Sequence, residues 1–336
     1  MTIKDIARES GYAVGTVSRV LNNHPGVSEA ARRKVMEVVE KYHFRLNSNA
    51  KHLKQQSNNG IAIIVKGTKN MLFAALVEKL QNLIKESGYA SLIYYIREDE
   101  HEVEQAIQVC KERQPQGILF LGSNKENFRE RFEAVKVPCV MVTNSSEGLS
   151  FENLSSVCID DRNAAKTAIE HLISLGHTKI GILGGEMKYS NPARARYEGC
   201  LCAFAEHGIT FDQEKQFSCS YFTVESGYYA MEELLDKKPD LTAVFAMSDV
   251  TALGAIRAAK DRGLCVPEDI SIVGFDGTEM GQYVVPRLTT IRQPGVCIAE
   301  KCVDILFEYI TQNTTSVQMN VPFELLEGES TQTLQK

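Results

Sequence analysis

The 336-residue chain is too long for one hydrophobic core and has room for two or three compact units. It is 43% apolar and 24% charged, as is ordinary for a globular protein, and no apolar run approaches the roughly 18 residues that span a bilayer. The first residues also lack the apolar core of a secretory signal, so we expect a cytoplasmic protein.

The charge is divided unevenly along the chain. Residues 1–56 hold ten Lys and Arg against five Asp and Glu, a net charge of +5, whereas the remainder carries a net charge of −11. A basic head on an acidic body attracts a polyanion at one end and repels it elsewhere. The N-terminal end is therefore expected to bind nucleic acid.

The first 22 residues predict two short helices around a glycine turn. Ile3, Ile6 and Ala7 recur at helical spacing, Gly11 interrupts the pattern, and Val14 resumes it. Such a helix-turn-helix places its second helix in the DNA major groove. The second helix has a polar side that can bond phosphates or base edges, formed by Thr16, Ser18, Arg19 and Asn22. A buried helical hairpin is the alternative, which the basic charge disfavours.

A third helix would complete a headpiece over residues 1–46. Ser28 is placed to cap this helix. Its expected apolar face consists of Ala31, Val35, Val38 and Tyr42. The next segment, residues 47–59, is polar and basic, which is typical of a flexible linker. A short helix beginning near Ser48 is the other possibility, and it would need a partner helix and DNA to form.

From Gly60 onward, β-prone runs alternate with helical stretches. The runs are Ile61–Val65, Ser91–Ile96, Gly117–Leu121, Cys139–Val142, Lys179–Leu183, Thr242–Phe245 and Ile270–Val273. Four of the helical stretches end in a glycine suited to a left-handed cap, namely Gly88, Gly176, Gly208 and Gly263. This alternation predicts doubly wound parallel sheets, and roughly ten strands are too many for one sheet. We therefore expect two α/β lobes with a ligand cleft between them.

Neither a metal site nor a cofactor is expected. The chain has nine cysteines, but none forms a Cys-x-x-Cys pair, and no histidine pair has zinc-like spacing. The stretch Gly181–Gly185 has neither dinucleotide-binding nor phosphate-loop spacing. An enzyme using Asp249 and Asp276 as an acid–base pair is thus the weaker alternative. A transport-type sugar receptor is another alternative, but it would not explain the basic headpiece.

Four stretches resemble the lactose-repressor/galactose-repressor family of bacterial transcription regulators. They are Ile3–Asn22, Asn47–Lys54, His171–His177 and the segment from Ala246 through Gly263–Asp276 to Ile291. Their order and spacing match the family along nearly the whole chain. The resemblance implies a repressor that acts as a homodimer on near-palindromic operator DNA, with a periplasmic-binding-protein-like core that binds a small-molecule effector.

The resemblance also implies roles for residues of the headpiece. Val14 and Gly15 match the family's specificity positions, although Gly15 offers no side chain for readout. Thr2, Thr16, Asn22 and His24 match backbone-positioning contacts, and Arg19 is a candidate guanine reader. In the hinge, Leu53 matches a leucine that wedges into the minor groove. The hinge contacts expected beside it are Asn47, Ala50 and Lys54.

In the core, the resemblance implies an effector site between the lobes. Arg196 matches the effector-clamping arginine and Asp276 a hydroxyl-accepting aspartate at the end of a strand. Ser248 stands where asparagine is frequent, and Asp249 follows it. Phe73 and Phe222 match aromatic positions that stack on the ligand. Arg194 is expected to form a surface salt bridge, while Asp160 and Asp161 either lie at the cleft or cap the next helix.

The expected effector is a small molecule. A neutral sugar is favoured over a sugar phosphate, because the stretch around Arg194 and Arg196 is the only basic cluster expected at the effector site. The core would span residues 60–336. Its first lobe would comprise about 60–158 and 291–318, and its second about 159–290 and 319–330. The polar end after Leu326 has no heptads, which favours a dimer over a tetramer.

Overall fold

The computed structural model describes residues 3–21, 26–42, 60–67, 70–312 and 314–334. The chain divides into two compact units, the first ending at Ser57 and the second beginning at Asn58. The expected hinge helix at residues 47–59 lies outside the described residues. Within the described ranges, no helix is long and apolar enough to cross a membrane.

The first unit is the predicted three-helix headpiece. Its helices are α1 (Ile3–Ser10), α2 (Val14–Leu21) and α3 (Glu29–Lys41). They pack around a small apolar core in which Ile6, Val17 and Val35 are fully buried. Gly11 has a φ of +74°, and its amide donates to the Ala7 carbonyl, so the chain turns sharply where the sequence pattern breaks.

The third helix begins as expected but ends earlier. Ser28 caps it by accepting a hydrogen bond from the Ala31 amide. The expectation that Tyr42 continues the apolar face is wrong, because the helix ends at Lys41 and Tyr42 is its C-cap residue. The Tyr42 side chain is exposed, and its hydroxyl donates to Glu9.

The second unit contains two six-stranded sheets. The strands in chain order are β1 (Gly60–Lys66), β2 (Ala90–Ile96), β3 (Gly117–Leu121), β4 (Cys139–Val142), β5 (Leu154–Cys158), β6 (Ile180–Gly184), β7 (Phe217–Cys219), β8 (Ala243–Ala246), β9 (Ser271–Asp276), β10 (Thr289–Arg292), β11 (Gln318–Asn320) and β12 (Glu324–Leu326). The first sheet has the order β11-β5-β4-β3-β1-β2, and all its pairs are parallel. The second has the order β12-β10-β9-β8-β6-β7, with only the β10–β12 pair antiparallel.

Helices flank both sheets, as the alternating pattern predicts. They are α4 (Met71–Glu86), α5 (Glu102–Arg113), α6 (Lys125–Arg131), α7 (Asp161–Ser174), α8 (Asn191–Glu206), α9 (Gln213–Gln216), α10 (Val224–Lys237), α11 (Asp249–Asp261) and α12 (Gly295–Gln312). The four expected glycine caps are confirmed, because Gly88, Gly176, Gly208 and Gly263 all have positive φ.

The chain passes between the two lobes three times. The first crossing lies between β5 and α7, the second between β10 and α12, and the third between β11 and β12. Thr289–Arg292 belongs wholly to the second sheet and Gln318–Asn320 wholly to the first. The boundaries between the lobes therefore lie a residue or two later in the chain than the expected positions 291 and 319. The crossings bring the strand ends of both sheets to one cleft.

Candidate functional site

In the headpiece, α2 buries one face and exposes the other. Val17 and Val20 lie in the core, whereas Val14, Gly15 and Arg19 are exposed. Thr16 and Ser18 are partly exposed beside them. A side-chain atom added at Gly15 would meet nothing within 4 Å, so this part of the surface is open. The accessible face therefore carries an arginine and two hydroxyls, groups that can bond phosphates or base edges.

The remaining predicted DNA contacts lie outside the described residues. They are Thr2, Asn22, His24, Asn47, Ala50, Leu53 and Lys54.

In the core, a cavity of about 390 Å³ lies between the carboxyl ends of strands from the two sheets. The first lobe contributes Lys66 from the end of β1 and Ser123 from the turn after β3. The second lobe contributes Phe222 from the turn after β7 and Asp276 from the end of β9. Parallel sheets bind ligands at this edge, and the volume falls in the range usual for small-molecule sites.

Arg196 is held in the cavity wall by several contacts. Its Nε donates to Asp161 Oδ1 at 2.7 Å, and one terminal nitrogen donates to the Met247 carbonyl at 2.6 Å. The guanidinium stacks on the Phe275 ring at 3.6 Å from its centroid. The Asp276 Oδ1 atom lies 4.0 Å from the same terminal nitrogen. Arg196 is thus buried, neutralised and fixed in orientation, as a buried cation requires.

Asp276 ends β9 in an unusual backbone conformation. Its φ is +115°, outside the region that non-glycine residues ordinarily adopt. Gln293 supports it twice, since the Gln293 Nε2 donates to Asp276 Oδ1 at 2.9 Å and the Gln293 amide donates to the Asp276 carbonyl at 3.0 Å. Burial raises the pKa of Asp276 to about 7, with the Asp249 and Asp161 carboxylates also raising it, while Arg196 and Gln293 lower it.

The two predicted aromatic residues both line the cavity. Phe73 lies over Gly122, where an added Cβ would approach its ring to 2.8 Å. Phe222 lies over Gly185 in the same way, at 2.5 Å. Each ring is therefore seated directly on a glycine backbone, and this close approach fixes its position.

Ser248 and Asp249 do not line the cavity, contrary to expectation. Ser248 caps α11, accepting from the Thr251 amide and pairing with the Thr251 hydroxyl at 2.8 Å. Asp249 accepts hydrogen bonds from the amide and hydroxyl of Thr278 at 2.6 and 2.9 Å, and from the Thr290 hydroxyl at 2.5 Å. Burial raises the pKa of Asp249 to about 6. Both side chains are engaged in holding the second lobe together.

Asp160 and Asp161, whose roles the sequence left open, have different roles in the structure. Asp160 caps α7 by accepting from the Asn163 amide, whereas Asp161 is buried and holds Arg196. Burial raises the pKa of Asp161, although Arg196 opposes this effect. Arg194 is exposed as expected, but its side chain donates to the Met187 carbonyl rather than to a carboxylate.

Several cavity residues were not predicted from the sequence. Ser123, Asn144, Tyr189, Tyr221 and Gln293 all line the cavity. The only local signal for Ser123 and Asn144 is that each closely follows a buried strand, at the edge where a doubly wound sheet binds ligands. Gln293 stands directly after β10 on the second crossing, a position that hydrophobic periodicity does not reveal.

Lys66 is the second cation of the cavity wall, and its charge is neutralised locally. Its Nζ lies 2.8 Å from Glu102 Oε2, and both side chains are buried. Glu102 also accepts from the Asn124 amide at 2.6 Å and from the Asn127 side chain at 2.8 Å. Among the residues that the structure describes, no group of three His, Cys, Asp or Glu is placed to hold a metal ion.

Comparisons with known proteins agree with this arrangement. A family model described as bacterial regulatory proteins, lacI family, matches residues 2–47, and one described as a periplasmic binding protein-like domain matches residues 169–331. The HTH-type transcriptional regulator MalR of Clostridium butyricum is 38% identical over 98% of this chain and 99% of its own.

Two solved structures are similar over nearly the whole chain. A complex of the transcriptional regulator CelR with cellobiose has a TM-score of 0.73 at 26% identity and covers 98% of this chain and 99% of its own. The lac repressor dimer bound to operator and an anti-inducer has a TM-score of 0.79, and the match covers 99% of this chain and 99% of the repressor chain. Because the two sequences are 24% identical, this likeness shows the same fold. With its basic helix-turn-helix and its two-lobed cleft, the chain belongs to the lacI family of bacterial regulatory proteins, which regulate transcription by binding DNA.

Proposed function

We propose that the protein is a homodimeric repressor whose affinity for a near-palindromic operator is controlled by a neutral sugar bound in the cleft. The observation that carries this proposal is the cleft wall itself. It combines a buried, oriented Arg196 with Asp276 and two glycine-seated aromatic rings, in a chain that begins with a basic helix-turn-helix. Hydroxyl groups bond to the arginine and the carboxylate, while the apolar face of a sugar ring packs on aromatic side chains.

The charges around the cavity favour a neutral ligand over a phosphorylated one. The wall carries four acidic side chains, those of Glu98, Asp99, Glu186 and Asp276, of which Asp276, with its pKa raised to about 7, is only partly ionised at neutral pH. Among the described residues of the wall, the only cations are Lys66 and Arg196, each already paired with a buried carboxylate. A phosphate dianion would meet this negative excess, and no described residue of the wall offers it an uncompensated cation. The cellobiose in the CelR complex is a neutral sugar and agrees with this inference.

Binding without chemical transformation fits the cleft better than catalysis does. An acid–base pair would require Asp249 and Asp276 to face the ligand together. Asp249 does not line the cavity, and its oxygens accept from Thr278 and Thr290. Asp276 alone is better suited to accepting a hydrogen bond from a ligand hydroxyl.

The exposed face of α2 is the proposed reader of DNA. Arg19 would bond a guanine edge, Val14 would contact a thymine methyl, and Thr16 and Ser18 would bond phosphates. The net charge of +5 over residues 1–56 supplies the electrostatic attraction. The contacts proposed for the hinge at Asn47, Ala50, Leu53 and Lys54 rest on the family's pattern.

Effector and operator are proposed to be coupled through the crossings between the lobes. Asp161, which holds Arg196, follows the first crossing, and Gln293, which holds Asp276, lies on the second. A ligand that contacts both lobes near two of the three crossings favours one lobe arrangement over another. A coupling free energy of about 1–3 kcal/mol is typical of such systems.

The homodimer is proposed from an edge strand in the first lobe and exposed apolar side chains in the second. In the first lobe, β2 is a seven-residue edge strand, a kind of edge that is normally covered. In the second lobe, Tyr283 and Val285 are 77% and 90% exposed. A second copy of the chain is the fitting partner, since a helix-turn-helix reads two half-sites through two-fold symmetry.

Arg196→Ala is expected to weaken effector binding at least about 100-fold, since it removes charge-assisted hydrogen bonds to the ligand. The measurement is the rise in melting temperature across a panel of sugars, sugar phosphates and purines, followed by calorimetric titration of the hit. Arg194→Ala is the matched control, because it removes an exposed arginine two residues away on the same helix. Parental affinity in a folded Arg196→Ala protein would disprove the assignment.

Arg19→Ala is expected to weaken operator binding about 5- to 150-fold through the lost base contact. Fluorescence anisotropy would measure it on a duplex selected from a random pool by repeated binding to the wild-type protein. Arg257→Ala, which removes an exposed arginine from the core, should leave binding unchanged. Wild-type binding should also fall steeply with salt, and a flat salt response would contradict a phosphate-dominated interface.

Tyr283→Glu/Val285→Glu is expected to shift the dimer toward monomer, because two-fold symmetry would bury like charges against each other. Sedimentation velocity over a range of protein concentrations would measure the shift. Leu201→Glu provides the control, since Leu201 is an exposed leucine on α8 of the same lobe. A double variant that remains dimeric at every concentration would place the interface elsewhere.

Asp276→Asn is expected to change the pH dependence of stability. The folded-state pKa of Asp276 is raised to about 7, whereas an unfolded aspartate titrates near 4, so the wild type loses stability as pH rises through this window. The asparagine variant lacks this loss and should gain about 2–3 kcal/mol relative to wild type between pH 5 and pH 8. Urea unfolding at the two pH values measures the difference, and parallel pH profiles would contradict it.

A further inference from the structure

A hydrogen bond joins the two lobes at one rim of the cleft, away from the three crossings. The Asn191 side chain of the second lobe accepts it from the Lys125 amide of the first, with 2.8 Å between Oδ1 and the nitrogen. Asn191 stands between Ser190 and Pro192, which both line the cavity, and Lys125 follows Ser123 of the opposite wall by two residues. Neither Asn191 nor Lys125 lines the cavity itself. The bond therefore ties the two walls together beside the proposed ligand site.

On the first lobe, the bond satisfies an amide at the start of a helix. The first amides of a helix have no partner within it. In α6, the Asn124 side chain accepts from the Glu126 amide, and the Asn124 carbonyl accepts from the Asn127 amide. The Lys125 amide has its partner in Asn191 of the other lobe. This bond thus exists only in a lobe arrangement that brings the two residues together.

Each end of the bond is connected to one of the two cations of the cavity wall. The amide of Asn124, the N-cap residue of α6, donates to Glu102 Oε1 at 2.6 Å, and Glu102 Oε2 pairs with Lys66. On the second lobe, Asn191 begins α8, the helix that carries Arg196. Opening the cleft at this rim would therefore move the Lys66 side of the cavity away from the Arg196 side.

We infer that Asn191 is a positioning residue: it stabilises the lobe arrangement in which the cavity walls face each other, and so raises effector affinity without touching the effector. An acceptor that bonds in only one arrangement shifts the equilibrium toward that arrangement. The apparent affinity of a ligand falls with the population of the arrangement that binds it. One hydrogen bond corresponds to about 2- to 10-fold in such an equilibrium. The inference rests on the proposed function, because it assumes that the cleft holds the effector.

Asn191→Ala tests the bond in the full-length protein without ligand. Hydrogen–deuterium exchange, resolved to single amides by mass spectrometry, should show the Lys125 amide exchanging about 2- to 10-fold faster, because it loses its acceptor. The Asn127 amide donates within the first lobe and should exchange as in the wild type. Asn191→Asp keeps a side-chain oxygen as acceptor and should retain the protection of Lys125. Unchanged Lys125 exchange in Asn191→Ala would overturn the inference.

The same variants test the effect on the effector. Calorimetric titration would use glucose, galactose, ribose, maltose and cellobiose as probes. Each sugar that binds should bind Asn191→Ala about 2- to 10-fold more weakly than the wild type. Asn191→Asp should restore the affinity, since it restores the acceptor. The loss in Asn191→Ala is expected to be smaller than that in Arg196→Ala, because Arg196 contacts the ligand directly.

Asn153→Ala is the matched control. The Asn153 side chain is partly buried like that of Asn191, but it donates to the Val135 and Val137 carbonyls within the first lobe, each at 2.9 Å. Its removal should lower the melting temperature and leave both Lys125 exchange and sugar affinity unchanged. If Asn153→Ala weakens sugar binding as much as Asn191→Ala does, sugar affinity follows general stability and the inference fails.

The operator provides a second measurement of the lobe equilibrium. By linkage, a bond that favours the ligand-bound arrangement must change operator affinity in the same direction as the sugar does. Fluorescence anisotropy on the selected duplex, without sugar, should therefore show an opposite shift in Asn191→Ala, of up to about 10-fold. A shift in the same direction as that caused by the sugar, or no shift, counts against the inference.

The outcomes separate this inference from the proposed function. If a neutral sugar binds and loses affinity in Arg196→Ala, but binds Asn191→Ala as it binds the wild type, the sugar site stands and this inference fails. If no neutral sugar binds, the proposed effector is wrong, and faster or unchanged Lys125 exchange in Asn191→Ala still decides for or against the inference. Faster exchange together with weaker sugar binding in Asn191→Ala, both reversed in Asn191→Asp, supports both.

Discussion

The buried guanidinium of Arg196 is the constraint on which the rest of the cleft depends. A buried cation needs partners, and here they come from distant parts of the chain: Asp161, the Met247 carbonyl and the ring of Phe275. Asp276 lies nearby at 4.0 Å, so two carboxylates share one arginine. Burial raises the pKa values of both aspartates, and Arg196 opposes this effect in each case. The same arrangement leaves the site rich in acceptors and suited to neutral hydroxyl groups.

These contacts also connect the proposed ligand site to the chain segments that join the lobes. Asp161 begins α7 just after the first crossing, and Gln293 lies between β10 and α12 on the second. A ligand bound to Arg196 and Asp276 is thus one side chain away from two of the three connections. A change in lobe orientation must pass through these connections, so contacts made here can favour one arrangement without any long pathway through the core.

The sequence predicted the architecture better than it predicted the site. Helical periodicity, the Ser28 cap and four glycine caps identify elements because each signal is local. The strands β7, β11 and β12 have only three residues each, too few to form a recognisable pattern. The positions of Arg196 and Asp276 followed from family resemblance. Asp161 and Gln293 depend on contacts across the fold, and Ser248 and Asp249 were misjudged because they follow a strand yet turn into the second lobe.

The cleft wall concentrates features that do not favour the stability of the fold. Asp276 and Phe222 have positive φ, Ser123 and Gln293 each leave a buried polar atom without a partner, and the carboxyl of Asp276 has a raised pKa. Away from the cleft wall, buried hydroxyls find partners, as Ser146 with Ser156 at 2.9 Å illustrates. Because the residues of this wall come from both lobes, the binding energy of a ligand in the cleft would depend on how the lobes are arranged. That dependence is the differential affinity an effector needs in order to control DNA binding.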